Sequence, residues 1–114
     1  MLKDLAIYAL AALAEIAGCT GVWLWLRDGA SLWVAAGGVV LLAIFAALLT
    51  RVDSNEAGRA FAAYGGIYIL FSVIWLRFAQ GVRLTMADLL GVAVSLAGAA
   101  IIMAGARRIP PNLP

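Results

Sequence analysis

The sequence predicts an all-α membrane protein with four transmembrane helices per subunit. Three observations carry that prediction. Of 114 residues, 66% are hydrophobic and only 12% are charged, whereas a soluble domain carries about 25% charge. The apolar residues gather in four long runs, with nearly all the charges at their ends or between them. Each run covers about 17–22 residues, enough at about 1.5 Å per residue to cross a hydrocarbon core of about 30 Å.

The first run is Leu5–Leu26, ended by Arg27 and Asp28. The second, Leu32–Thr50, has no charge at all. The third is Ala60–Leu76, between Arg59 and Arg77. The fourth is Met86–Ala106 and includes only Asp88, near its start. All four are too long for core strands, and none shows the polar–apolar alternation of a membrane barrel. The connections are short: Arg27–Ser31, Arg51–Arg59 and Arg77–Thr85. Pro110, Pro111 and Pro114 make the tail, 107–114, non-helical. The expectation is a single transmembrane domain over 1–114, with helices at 5–26, 32–50, 60–76 and 86–106 and both termini on one side.

Composition excludes several functions. The formal net charge is +2, and the basic residues are scattered singly, so nucleic-acid binding is not expected. Cys19 is the lone cysteine and there is no histidine. A disulfide framework, a cysteine zinc site and the usual general base are therefore all absent, and neither a metal nor a cofactor is expected. Thr20, Ser72, Thr85 and Ser95 read as packing or backbone-bonding hydroxyls rather than nucleophiles, so the chain is not expected to be an enzyme. "IAGC", Ile16–Cys19, looks like a lipoprotein cleavage box. Glu15 inside that signal, and the continuation of the run through "VWLWL", argue against it.

Lys3, Arg51, Arg59, Arg107 and Arg108 fall on the side of the termini, against Arg27, Arg77 and Arg83 on the other. That weakly favours cytoplasmic termini. So small a bias also permits insertion both ways round, and hence an antiparallel dimer. Trp23, Trp25, Trp33 and Trp75 cluster toward the opposite face, as an interfacial aromatic belt does.

Glu15 is the exception to the pattern. It lies midway along the first run, where a charge costs roughly 2.5–3.5 kcal/mol on insertion scales. The sequence therefore predicts a buried glutamate facing the bundle interior or a wet cavity. Helical spacing puts Tyr8, Ala11, Ala12, Gly18, Cys19 and Val22 on its face. Most of these are small, which admits either a neighbouring helix or a ligand. No basic residue lies in the interior of any run. Removal from water disfavours a carboxyl's charged form, which suits a group that alternates between a proton and a cation. A protonated structural acid bonded to a carbonyl or to Tyr8 is the plainer reading. Ionisable groups inside membrane helices are nevertheless functional by default.

Two further patterns stand beside it. Phe61, Tyr64, Tyr68, Phe71 and Trp75 form one stripe at helical spacing. Ordinary packing explains such a stripe; so does attraction of an organic cation, with tyrosine hydroxyls holding a carboxylate. Gly91, Ser95 and Gly98 form a small-residue seam on the fourth helix, for packing within one subunit or between two. Four short spans enclose little space for a transport path, which favours a homodimer with two copies of Glu15.

At this point the sequence resembles a known family. "AEIAGC" followed by "WLWL", "GRAFAAYGGIYI", "WLRFAQGVRLT" and "AGAAIIMAG" occur together in the order and length of the YnfA-type small inner-membrane proteins of bacteria. More distantly the chain is similar to the small multidrug resistance transporters, through "ALAEIAGCT", "GVRLT" and "GVAVSLAG". The resemblance implies a bacterial inner-membrane protein, multi-pass, forming an antiparallel homodimer of four-helix subunits that exchanges protons for organic cations. On it, Glu15 is the shared proton and substrate carboxylate. Ala12, Gly18 and Cys19 fall at site-lining positions, and Gly91 and Gly98 at dimer contacts. The chain also departs from that pattern. Tyr64 stands where drug exporters have tryptophan, Cys19 where threonine or serine is usual, and Tyr68 where a small residue is usual. Leu42 and Ala46 occupy the stretch of the second helix that would line the site.

The expected function is therefore a proton-coupled exporter of organic cations, with Glu15 exchanging the charge and Tyr64 and Tyr68 contacting the substrate or orienting the carboxylate. The expected partners are the bilayer, a second copy, protons and organic cations. The alternative is a non-transporting structural or regulatory protein packed against a larger membrane partner.

Overall fold

The computed structural model describes residues 2–107, the side chains of 106 and 107 excepted. The proline tail and Arg108 lie outside the described residues. Four helices follow in order: α1 (Leu2–Asp28), α2 (Leu32–Leu49), α3 (Ala57–Phe78) and α4 (Met86–Arg107). There is no strand among the described residues. All four helices are long and apolar enough to cross a membrane.

The helices match the four apolar runs, with two extensions. α1 begins three residues before Leu5 and ends two after Leu26; α3 begins at Ala57 and ends at Phe78. Hydropathy marks where the hydrocarbon stops, but backbone hydrogen bonding does not stop there. Lys3, Asp4, Arg27 and Asp28 continue α1, with the acid in the first turn and a base in the last, as the helix dipole favours.

The chain divides between Asp53 and Ser54 into two helix hairpins, α1–α2 and α3–α4. Both turn by the same device. Gly29 adopts φ 73° after α1, and the Ala30 N–H donates to the Leu24 carbonyl at 3.0 Å. Gly81 adopts φ 69° after α3, and the Val82 N–H donates to the Leu76 carbonyl at 3.0 Å. A left-handed glycine satisfies end carbonyls that would otherwise be stranded.

The α1–α2 hairpin closes on glycine. A Cβ on Gly38 would lie 2.5 Å from the Gly18 carbonyl oxygen and 3.3 Å from the Val22 nitrogen. A Cβ on Gly21 would lie 2.9 Å from the Val34 carbonyl oxygen. The two backbones thus touch directly, which side chains would prevent. At the other end the α2–α3 connector folds back onto the first turn of α1. The Asp53 N–H donates to Asp4 Oδ1, and Lys3 Nζ pairs with Asp53 Oδ1, each at 3.2 Å. That ion pair is exposed, so it contributes little.

The α3–α4 hairpin repeats the principle with one contact. A Cβ on Gly66 would lie 2.6 Å from Ala99 Cβ and 2.8 Å from the Ser95 carbonyl oxygen. α4 starts with a reciprocal cap. The Thr85 N–H donates to Asp88 Oδ2 at 2.8 Å, and the Asp88 N–H donates to Thr85 Oγ1 at 3.1 Å. The outer side of α4 carries exposed Leu89, Leu90, Val94 and Ile101, a surface that suits lipid.

Candidate functional site

Glu15 is the central residue of α1. A 27-residue helix is about 40 Å long, so the carboxylate sits about 20 Å from either end. Every other charged residue in the described helices lies within the first or last three positions of its helix. The depth predicted for Glu15 is therefore that of the fold.

Its environment differs from the expectation. The sequence predicts a buried glutamate; the side chain is half-buried. The reason lies along its own helix face. Tyr8 is 3% exposed, and Ala11 and Ala12 are fully buried, on the side toward the N-terminus. One turn past Glu15, Cys19 is exposed, and Leu26 beyond it is exposed as well. The face that carries the acid is closed at the Tyr8 end; past Glu15 it divides, with Gly18 buried and Val22 half-buried while Cys19 is exposed. Glu15 stands at the transition.

The other predicted site residues separate into groups. In the first hairpin, Tyr8 and Ala12 are buried on the closed part of the Glu15 face. Gly18 serves the helix crossing: its missing Cβ leaves room for the Gly38 carbonyl oxygen at 2.7 Å and Leu42 Cγ at 2.9 Å. The bare second helix is explained in the same way, because Leu42 fills the space that Gly18 vacates. In the second hairpin, Tyr64 is 6% exposed and Tyr68 is half-buried. Their ring centroids are 5.9 Å apart at an interplanar angle of 51°. That is tilted aromatic packing within one helix face. Phe61, at the start of the stripe, is exposed.

The α4 seam splits between two uses. Ser95 lies against Gly66 of α3 through its backbone, and its hydroxyl donates to the Gly91 carbonyl at 2.7 Å. Nothing lies within 4 Å of a Cβ built on Gly91 or Gly98. Those two glycines are not used in packing within the hairpin.

Of the four hydroxyls read from the sequence as packing or backbone-bonding, three bond the backbone. Thr20 Oγ1 donates to the Ile16 carbonyl at 2.6 Å, Ser95 bonds Gly91, and Thr85 caps α4. The fourth, Ser72, is packed instead: its Oγ is buried and has no hydrogen-bond partner. Spacing alone gave no signal of this, since a serine one turn from Tyr68 has a carbonyl available to it. At the Trp end of α1 the Arg27 guanidinium stacks over Trp23, 4.9 Å from the ring centroid. That contact holds the Arg27 cation at the end of its helix. Among the described residues no three His, Cys, Asp or Glu side chains come together as a metal site would need.

Comparison with known proteins agrees with this architecture. The family described as "Uncharacterised BCR, YnfA/UPF0060 family" matches residues 1–108. A UPF0060 membrane protein of Gluconacetobacter diazotrophicus is 53% identical over 107 residues, covering 94% of each chain. A UPF0060 membrane protein of Brucella anthropi is 54% identical over 99 residues, covering 86% of this chain and 92% of its own. No solved structure matches. The family match over nearly the whole chain, and relatives named as membrane proteins, place this sequence: it belongs to the YnfA/UPF0060 family of membrane proteins.

Proposed function

We propose that this protein is a carrier, not an enzyme, that exchanges protons for organic cations at Glu15. One observation carries the reading. A carboxylate occupies the centre of a membrane-spanning helix, half-buried, between the buried Tyr8, Ala11 and Ala12 and the exposed Cys19. A charge at that depth is costly to keep unless it is used. One carboxylate that holds either a proton or a cation couples the two, because each must leave before the other binds. The resemblance of "ALAEIAGCT" to the first-helix motif of the small multidrug resistance transporters supports the same role.

In this reading the working unit is an antiparallel homodimer in the bacterial inner membrane, with termini on opposite sides in the two copies. The open glycines of α4, Gly91 and Gly98, supply the contact between copies. Tyr64 and Tyr68 present aromatic surface to the substrate.

The test is uptake of benzyltrimethylammonium into proteoliposomes against an imposed pH gradient. The native protein should accumulate the cation only when the gradient is present, and Glu15→Gln should abolish accumulation. A Glu15→Gln protein that transports as well as the native one would sink the mechanism. A stable complex with another membrane protein, and no transport, would favour the structural alternative.

A further inference from the structure

The two ends of the α1–α2 hairpin treat their charges differently. At the connector end the charges are used within the chain: Lys3 Nζ pairs with Asp53 Oδ1, and Asp4 Oδ1 accepts the Asp53 N–H. At the turn end Arg27 and Asp28 are both exposed. Neither side chain has an ion pair or a hydrogen bond among the described residues. They do not satisfy each other, because adjacent residues of a helix do not face one another. Arg27 lies instead over Trp23, one turn back, 4.9 Å from the ring centroid. A ring face attracts the charge but offers no oxygen to the five N–H donors of a guanidinium.

Depth says what lies beside these two charges. Arg27 is about 18 Å along α1 from Glu15, the centre of that helix. The hydrocarbon core ends about 15 Å from the bilayer midplane, and the headgroup region extends to about 20–22 Å. With α1 centred in the bilayer, Arg27 and Asp28 therefore sit among lipid headgroups. Trp25 and Trp33, both exposed, mark the hydrocarbon boundary on the two helices that flank the turn.

A lone cation beside a lone anion complements a headgroup that carries both charges. We propose that Arg27 and Asp28 form a binding site for a phospholipid whose phosphodiester is joined to a primary ammonium, as in phosphatidylethanolamine. The Arg27 guanidinium donates to the phosphodiester oxygens, for which its planar fork is suited. The Asp28 carboxylate accepts from the ammonium N–H groups. A headgroup lying across the helix end touches both side chains although they point apart. Phosphatidylcholine has no N–H for Asp28, and phosphatidylglycerol has no cation for it. The site lies within one hairpin and does not depend on exchange at Glu15.

The experiment is native mass spectrometry of the full-length protein in detergent micelles, with these three lipids carrying identical acyl chains. The native protein should bind phosphatidylethanolamine about tenfold more tightly than either of the others, the scale of one hydrogen bond to a charged group. Asp28→Asn should remove that preference. Arg27→Gln should weaken all three lipids by about tenfold. Lys3→Gln, at the end where the charges are paired, should change neither affinity nor preference. Arg27 and Asp28 are exposed, so melting temperatures of their variants should stay at the native value. Equal binding of the three lipids by the native protein, or a preference for phosphatidylglycerol, would overturn the proposal. So would a preference that survives in Asp28→Asn, or a loss in Lys3→Gln as large as that in Arg27→Gln.

Discussion

Gly37 and Gly38 are adjacent in α2, yet alanine should act on them in opposite directions. At Gly38 the added methyl would meet the Gly18 carbonyl oxygen at 2.5 Å, and behind it the Val22 nitrogen at 3.3 Å. Both are backbone atoms of α1, so no side chain can swing away. The helices must separate, and the neighbouring contacts at Gly21 and Leu42 loosen with them. Overpacking of this kind costs about 1–3 kcal/mol. Against it stands the gain from replacing glycine inside a helix, roughly 0.5–1 kcal/mol. Two backbone contacts place the steric term in the upper part of that range at Gly38, for a net loss of up to about 2.5 kcal/mol. At Gly37 nothing lies within 4 Å of the new Cβ. Only the gain remains, so Gly37→Ala should be stabilising by up to about 1 kcal/mol. The measurement is reversible unfolding in mixed micelles, followed by tryptophan fluorescence, with both variants made in the same background. If Gly38→Ala is as stable as Gly37→Ala, the backbone crossing of α1 and α2 is not where the structure puts it.

Two further outcomes follow from the second hairpin. Asp88→Ala removes one half of the cap on α4 and should destabilise that end by about 1 kcal/mol, seen as faster amide exchange in the first turn of α4; unchanged exchange would refute the cap. Gly98→Leu fills open space beside α4, so the helices should form normally, while cross-linking between copies in native membranes, as the proposed homodimer requires, should be lost; unchanged cross-linking would refute a dimer contact at Gly98.

The four spans were legible because a membrane helix must be apolar along most of its length, and only the charged ends were misjudged. Lys3, Asp4 and Asp28 look like boundaries in hydropathy but belong to the helix. The depth of Glu15 was legible for the same reason. Its degree of burial was not. Helical spacing says which residues share its face, but not that this face is covered at Ala12 and uncovered at Cys19.

Glycine was read least well. The spacing leaves Gly18 open to a neighbouring helix or a ligand, and in the fold Gly38 and Leu42 fill its open side. A small residue in sequence marks a close approach without naming what approaches. Only the pairing of two helices distinguishes Gly66, pressed on Ser95 and Ala99, from Gly98, which faces open space. Ser72 was hidden for a related reason, since spacing cannot tell whether a hydroxyl turns back to its own helix.

The glycine contacts also bear on how the protein is made. Each joins helices that are consecutive in the chain: Gly18 and Gly21 to Gly38, and Gly66 to Ser95 and Ala99. The first contact therefore needs only the first two helices, and the glycine turns at Gly29 and Gly81 already point each second helix back along the first. Contacts this local form quickly because little chain must be ordered before they are gained. Insertion can proceed two spans at a time, each leaving the translocon as a pair with its polar backbone already satisfied. For a chain that puts a carboxylate at the centre of its first span, early pairing shortens the time Glu15 spends on a lone helix in lipid.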